Sequence, residues 1–95
     1  GGDPLPVFVE VLNAKAGTTQ CAFRLYDTDT EKHSLTSDAD WLIVPAESAK
    51  PGAGAHNVKI TYLENPDPTP RTAHLVLTSG GVTTYITYNQ NARSK

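Results

Sequence analysis

The sequence predicts a single all-β domain, a sandwich or small barrel, and three observations carry that prediction. The first is the run RTAHLVLTSGGVTTYITYNQ, residues 71–90, in which two alternating arms flank Ser79-Gly80-Gly81. Ala73, Leu75 and Leu77 share one face of the first arm, and Val82, Thr84, Ile86 and Tyr88 alternate with Thr83, Tyr85, Thr87 and Asn89 in the second. A period of two is that of a strand, and two glycines supply the positive φ angles of a tight hairpin. The second is that further short alternating segments recur upstream, separated by turn-forming residues. The third is that no segment carries a sustained apolar stripe at helical period, so helix content should be very low.

Taken in order, residues 1–6 (GGDPLP) read as a flexible lead-in. Residues 7–90 form the domain and 91–95 a tail. Val7 to Leu12 alternates as a first strand, with Phe8, Glu10 and Leu12 on one face. Asn13 to Thr19 reads as a turn, and Gln20 to Tyr26 as a second strand with Cys21, Phe23 and Leu25 inward and Ala22, Arg24 and Tyr26 outward. Asp27 to Asp40 is polar and irregular, with room for a short edge strand around His33 to Thr36. Trp41 to Val44 is apolar on both faces, as a brief strand buried between layers would be. Pro45 to Gly54 is a loop, and Val58, Ile60 and Tyr62 share a face across a strand from His56 to Leu63. The proline-rich connection Glu64 to Pro70 then leads into the hairpin.

Ninety-five residues suffice for one core without metals or disulfides. The net charge of -2 is scattered, with no Lys/Arg cluster, which argues against nucleic acid and anionic membranes as partners. No apolar run is long enough to span a bilayer and no segment reads as a signal peptide. A single cysteine forbids an internal disulfide, and Cys21 reads as a small buried thiol.

The order of features from Trp41 to Gln90 resembles the BACON family (Bacteroidetes-associated carbohydrate-binding often N-terminal). These features are Asp40-Trp41-Leu42-Ile43-Val44, a Gly-rich loop, the strand Val58 to Tyr62, Asn65, then Arg71-Thr72-Ala73. A Ser-Gly-Gly hairpin and a last strand ending in Asn89-Gln90 complete the series. The connection Asp27 to Asp40 departs from the Gly-Ser-rich openings of that family. The resemblance implies an immunoglobulin-like β-sandwich of about seven strands. It also implies a module of a larger exported or surface protein that handles polysaccharides, in the periplasm or at the outer membrane, with a lipoprotein as one form of the parent.

Physical chemistry assigns several of these residues a structural role. Arg71 is placed to reach carbonyls of the 65–69 loop or Asp67, and Asn65 to bond its own loop and adopt a left-handed conformation. Trp41 opens an apolar run and reads as a core anchor burying ~200 Å². Exposed aromatics are better candidates for stacking on sugar rings: Tyr26, Tyr85 and Phe8, with Thr83, Thr87 and Arg24 supplying polar contacts. The competing account is that exposed tyrosines pair with cross-strand neighbours.

Asp27-Thr28-Asp29-Thr30-Glu31 has the alternating carboxylates of a calcium loop, but Lys32 stands where its glycine belongs and Asp38 where its terminal Glu belongs. The three histidines lack metal-ligand spacing, and no nucleophile with an oriented base is evident. No cofactor, metal or enzymatic activity is therefore expected. The expected function is a non-catalytic spacer holding a neighbouring domain away from the cell surface. The alternatives are direct binding of plant polysaccharide or mucin glycans through Tyr26 and Tyr85, and protein interaction through a sheet edge.

Overall fold

The computed structural model describes residues 8–93, without the side chain of Phe8, so the expectations for residues 1–6 and for the Phe8 ring lie outside the described residues. Seven strands form two sheets: β1 (Phe8–Leu12), β2 (Gly17–Leu25), β3 (Ser34–Ser37), β4 (Leu42–Ile43), β5 (Gly54–Tyr62), β6 (Arg71–Ser79) and β7 (Val82–Gln90). One sheet has the order β1-β7-β6-β3 and the other β2-β5-β4. Helical structure in the described residues is limited to two 3₁₀ turns, Thr30–Lys32 and Ala46–Ser48.

Alternation builds the core from both sheets. Leu12, Leu35, Ala73, Leu75, Leu77 and Tyr88 come from the four-stranded sheet and pack against Cys21, Leu25, Leu42, Val58, Ile60 and Tyr62 of the other. Each fully buried aliphatic side chain contributes about 1.5–3 kcal/mol. The result is an immunoglobulin-like β-sandwich.

The β6–β7 hairpin closes more tightly than expected. Ser79 pairs with Val82, so the turn is Gly80-Gly81 alone, with φ of 59° and 77°. Two positive φ values are the signature of a primed turn, whose twist matches that of the strands. β2 begins at Gly17 rather than Gln20 and ends at Leu25, which leaves Tyr26 beyond the strand. The Trp41–Val44 segment is not buried between layers. Only Leu42 and Ile43 pair, on the side of β5 away from β2; Leu42 points into the core, and Ile43, next in the alternation, faces outward and is exposed.

β1 and β7 run parallel, with Phe8 level with Ile86 and Leu12 with Gln90. The first and last strands are thus neighbours pointing the same way. β1 therefore begins toward the hairpin-turn end of the sheet and β7 finishes at the opposite end.

Candidate functional site

At the exit end a group of polar side chains ties three stretches of chain together. Gln90 is fully buried. Its Nε2 donates to the carbonyls of Leu63 (2.8 Å) and Asn13 (3.0 Å), and its Oε1 accepts from Arg71 Nε (2.7 Å). Arg71 Nη2 donates to the carbonyls of Leu63 (3.2 Å) and Glu64 (3.0 Å), rather than to the 65–69 loop or Asp67. The guanidinium lies 4.4 Å from the centroid of the Trp41 ring, a cation–π contact. Trp41 is only partly buried, its ring packed against the core.

Asn65, also fully buried, donates through Nδ2 to the carbonyls of Thr69 (2.9 Å) and Asn91 (3.1 Å) and accepts from the Asp67 N–H (3.1 Å). It does so without a left-handed backbone, since no described non-glycine residue has positive φ. The side-chain oxygen forms the turn by bonding two residues on, so the backbone needs no unusual angle. Backbone bonds from Asn91 N to Leu12 O and from Arg93 N to Asp67 O carry the attachment past the last strand. The sequence marks Gln90 only as the end of the last strand. The signal available was a Gln at an inward position of β7, where a polar side chain must find partners.

The aromatic candidates do not form one site. Tyr85 lies on the outer face of the four-stranded sheet, 58% exposed. Its ring meets that of His74 edge-on at 6.3 Å, and His74 Nδ1 is 2.8 Å from Asp38 Oδ2. The His74 backbone N–H donates to Asp38 Oδ1 at 2.7 Å, and this bond, ahead of the imidazole, holds the Asp38 carboxyl below the usual carboxylate range. The register sets Val76 across from Tyr85, and Thr83 and Thr87 share its face of β7. Arg24 stands instead on β2 of the other sheet, and Tyr26, 84% exposed, follows that strand at the hairpin end. Alternation gives a residue's parity, inward or outward, but each sheet of a sandwich has its own outer face.

In the Asp27–Asp40 connection most of the carboxylates already have partners. Asp27 Oδ1 accepts from the Asp29 N–H (2.8 Å), Asp29 is 3.5 Å from Lys32, and Glu31 is 2.9 Å from Lys50. Among the described residues no three potential metal ligands converge.

A cleft of about 400 Å³ opens between the edge strand β2 and the β1–β7 pair. Phe23, Leu77 and Ile86 form its apolar walls, with Glu10 and Tyr88 at its polar side. Cys21 also lines it. Burial raises the pKa of the Cys21 thiol, and burial together with the adjacent thiol raises that of the Tyr88 phenol.

Two solved structures share this fold. A Bacteroides ovatus GH5 xyloglucanase, solved with a XXXG heptasaccharide, superposes with a TM-score of 0.73 at 18% identity. The match covers 90% of this chain but 17% of the xyloglucanase. A Bacteroides thetaiotaomicron protein solved by NMR gives a TM-score of 0.63 at 14% identity over 96% of this chain and 81% of that one. No curated protein matches the chain. The family model "BACON: Putative binding domain, N-terminal" matches residues 29–91. That span runs from the connection before β3 through the hairpin and the whole Asn65–Arg71–Gln90 group, so the chain belongs to the BACON family.

Proposed function

We propose that this domain is a non-catalytic spacer in an exported carbohydrate-handling protein, holding a neighbouring domain at a fixed distance and direction. One observation carries this reading: the first and last strands lie side by side in parallel, so β1 begins toward one end of the sandwich and β7 finishes at the other. The fixing of the exit segment as far as Arg93 adds to it, because a following domain would inherit a defined direction. The family and the likeness to a xyloglucanase, of which the chain spans 17%, support the carbohydrate setting. The same reading puts the parent protein in the periplasm or at the outer-membrane surface, where a lipid anchor would hold it.

Spin labels at Thr83 and Arg93, with Cys21 replaced by alanine, test the spacer. A narrow distance distribution is expected, and a broad one would overturn the reading.

Direct glycan binding is the second reading, favoured by the exposed Tyr85 ring on a threonine-rich face. An exposed ring can stack on a pyranose face, with the hydroxyls of Thr83 and Thr87 on the same face of β7. Amide NMR titration with plant polysaccharide fragments and mucin glycans decides it. Shifts around Tyr85, abolished by Tyr85→Ala, would establish binding, and a silent spectrum would eliminate it. Tyr26 and Arg24 belong to a different surface and should not respond with Tyr85.

A further inference from the structure

The inter-sheet cleft is separate from both the exit-end group and the Tyr85 face. Its volume of about 400 Å³ is within the roughly 300–1,000 Å³ of small-ligand sites, which pair apolar walls with a few placed polar groups. Among the described residues β1 pairs only with β7 and β2 only with β5, which leaves the described sandwich open along one side.

The chemistry of the cleft is lopsided. Phe23, Leu77 and Ile86 offer apolar surface, while Glu10 is the one ionised side chain on the lining. Glu10 lies opposite Tyr88 in the β1–β7 register and so shares its core-facing side. The Thr19 hydroxyl sits 2.8 and 3.0 Å from the two carboxylate oxygens, but one hydroxyl supplies one proton. A carboxylate accepts up to about four hydrogen bonds, so most of its capacity is left over. Among the described residues no cation lies within salt-bridge distance of it. A half-buried carboxylate beside an apolar cavity favours a positive group attached to an apolar body.

We propose that the cleft between β2 and the β1–β7 pair binds an amphipathic organic cation, with an aliphatic or aryl-alkyl body against Phe23, Leu77 and Ile86 and an ammonium head at Glu10. Neutral and anionic molecules of the same shape lack that head and bind more weakly.

Amide and methyl NMR of the whole chain with n-hexylammonium, hexanol and hexanoate tests the assignment. Hexylammonium is expected to shift Phe23, Leu77, Ile86 and Tyr88, with hexanol and hexanoate at least about tenfold weaker, the usual worth of one charge-assisted bond. Glu10→Gln, which still accepts from Thr19, should weaken hexylammonium about tenfold and leave hexanol unchanged. Ala22→Trp, an exposed change at the rim, should block all three while keeping the native amide spectrum. Equal binding of hexanoate, shifts confined to other surfaces, or insensitivity to Glu10→Gln would overturn the proposal. So would contacts from Leu5 or Val7 to Phe23 and Ile86 in the ligand-free protein, because the chain itself would then be the occupant.

Discussion

Replacing Gln90 with leucine isolates the polar group at the exit end from the rest of the sandwich. Leucine keeps the apolar volume and the strand propensity of the site. It removes the acceptor for Arg71 Nε at 2.7 Å and the donors to Asn13 O at 3.0 Å and Leu63 O at 2.8 Å. Leu63 O retains its longer bond from Arg71, so the Arg71 Nε–H and the Asn13 carbonyl are the groups left stranded. At about 1–3 kcal/mol for each stranded group, less a partial gain from leucine's burial, the loss comes to about 3 kcal/mol. A domain of this size has roughly 5–14 kcal/mol in total, so the variant should fold but melt roughly 15 °C lower. Thermal and urea unfolding followed by circular dichroism measure this. The control is Asn89→Ala one residue away, which points outward and accepts only an exposed Thr72 hydroxyl, and should change stability by no more than about 0.5 kcal/mol. A drop in Tm below about 4 °C for Gln90→Leu, or equal losses for the two variants, would refute the assignment of stability to this group.

Arg71→Lys keeps the charge but loses the planar fork that serves Gln90, Leu63 and Glu64 and stacks on Trp41; it should cost about 1–3 kcal/mol and alter Trp41 fluorescence. Asp38, its folded pKa lowered chiefly by the His74 backbone N–H, contributes stability that is present above the ordinary Asp pKa of about 3.9 and is lost as pH falls through the folded value. Asp38→Asn keeps an acceptor for that N–H, so its Tm deficit should be flat above about pH 5 and shrink below about pH 4; a deficit constant down to pH 2 would count against the charge. The Cys21 thiol, buried and with its pKa raised, should react with iodoacetamide at pH 8 far more slowly in the native protein than in urea; equal rates would contradict its burial.

How much of this was readable in the residues depends on the distance over which each feature is decided. The β6–β7 hairpin was plain because Gly80-Gly81 and the flanking alternation are local. The core was plain for the same reason: Leu75, Leu77, Ile60 and Val58 show their burial by period two alone. β3 was nearly hidden, since Ser34 to Ser37 offers one buried leucine, Leu35, and its strand character comes from pairing with β6. The partners of Gln90 lie 19 to 77 residues away, and no local pattern encodes them. The division of Tyr85 from Arg24 and Tyr26 was invisible because alternation does not name the sheet a strand joins. The cleft was invisible too, because it arises from which strand edges stay unpaired.

On the spacer reading, the exit-end group and the β1–β7 ladder together answer one mechanical requirement. Tension applied through the two ends of the chain pulls Phe8 back toward the hairpin end and Arg93 the other way. Because β1 and β7 are parallel neighbours, that tension loads their five-residue register in shear, with all the ladder bonds sharing the load. An antiparallel terminal pair pulled from one end would open a bond at a time. Strain would then reach the junctions at either end of the ladder, and at the exit this is where Asn91 N meets Leu12 O and where the Gln90 and Asn65 side chains bind the carbonyls of Asn13 and Asn91. Buried side-chain bonds at that point resist fraying where a strand end is ordinarily weakest. On the spacer reading, the costly burial of the Asn65 and Gln90 amides serves a stiff exit rather than stability alone, since apolar residues of like volume would fill the same space.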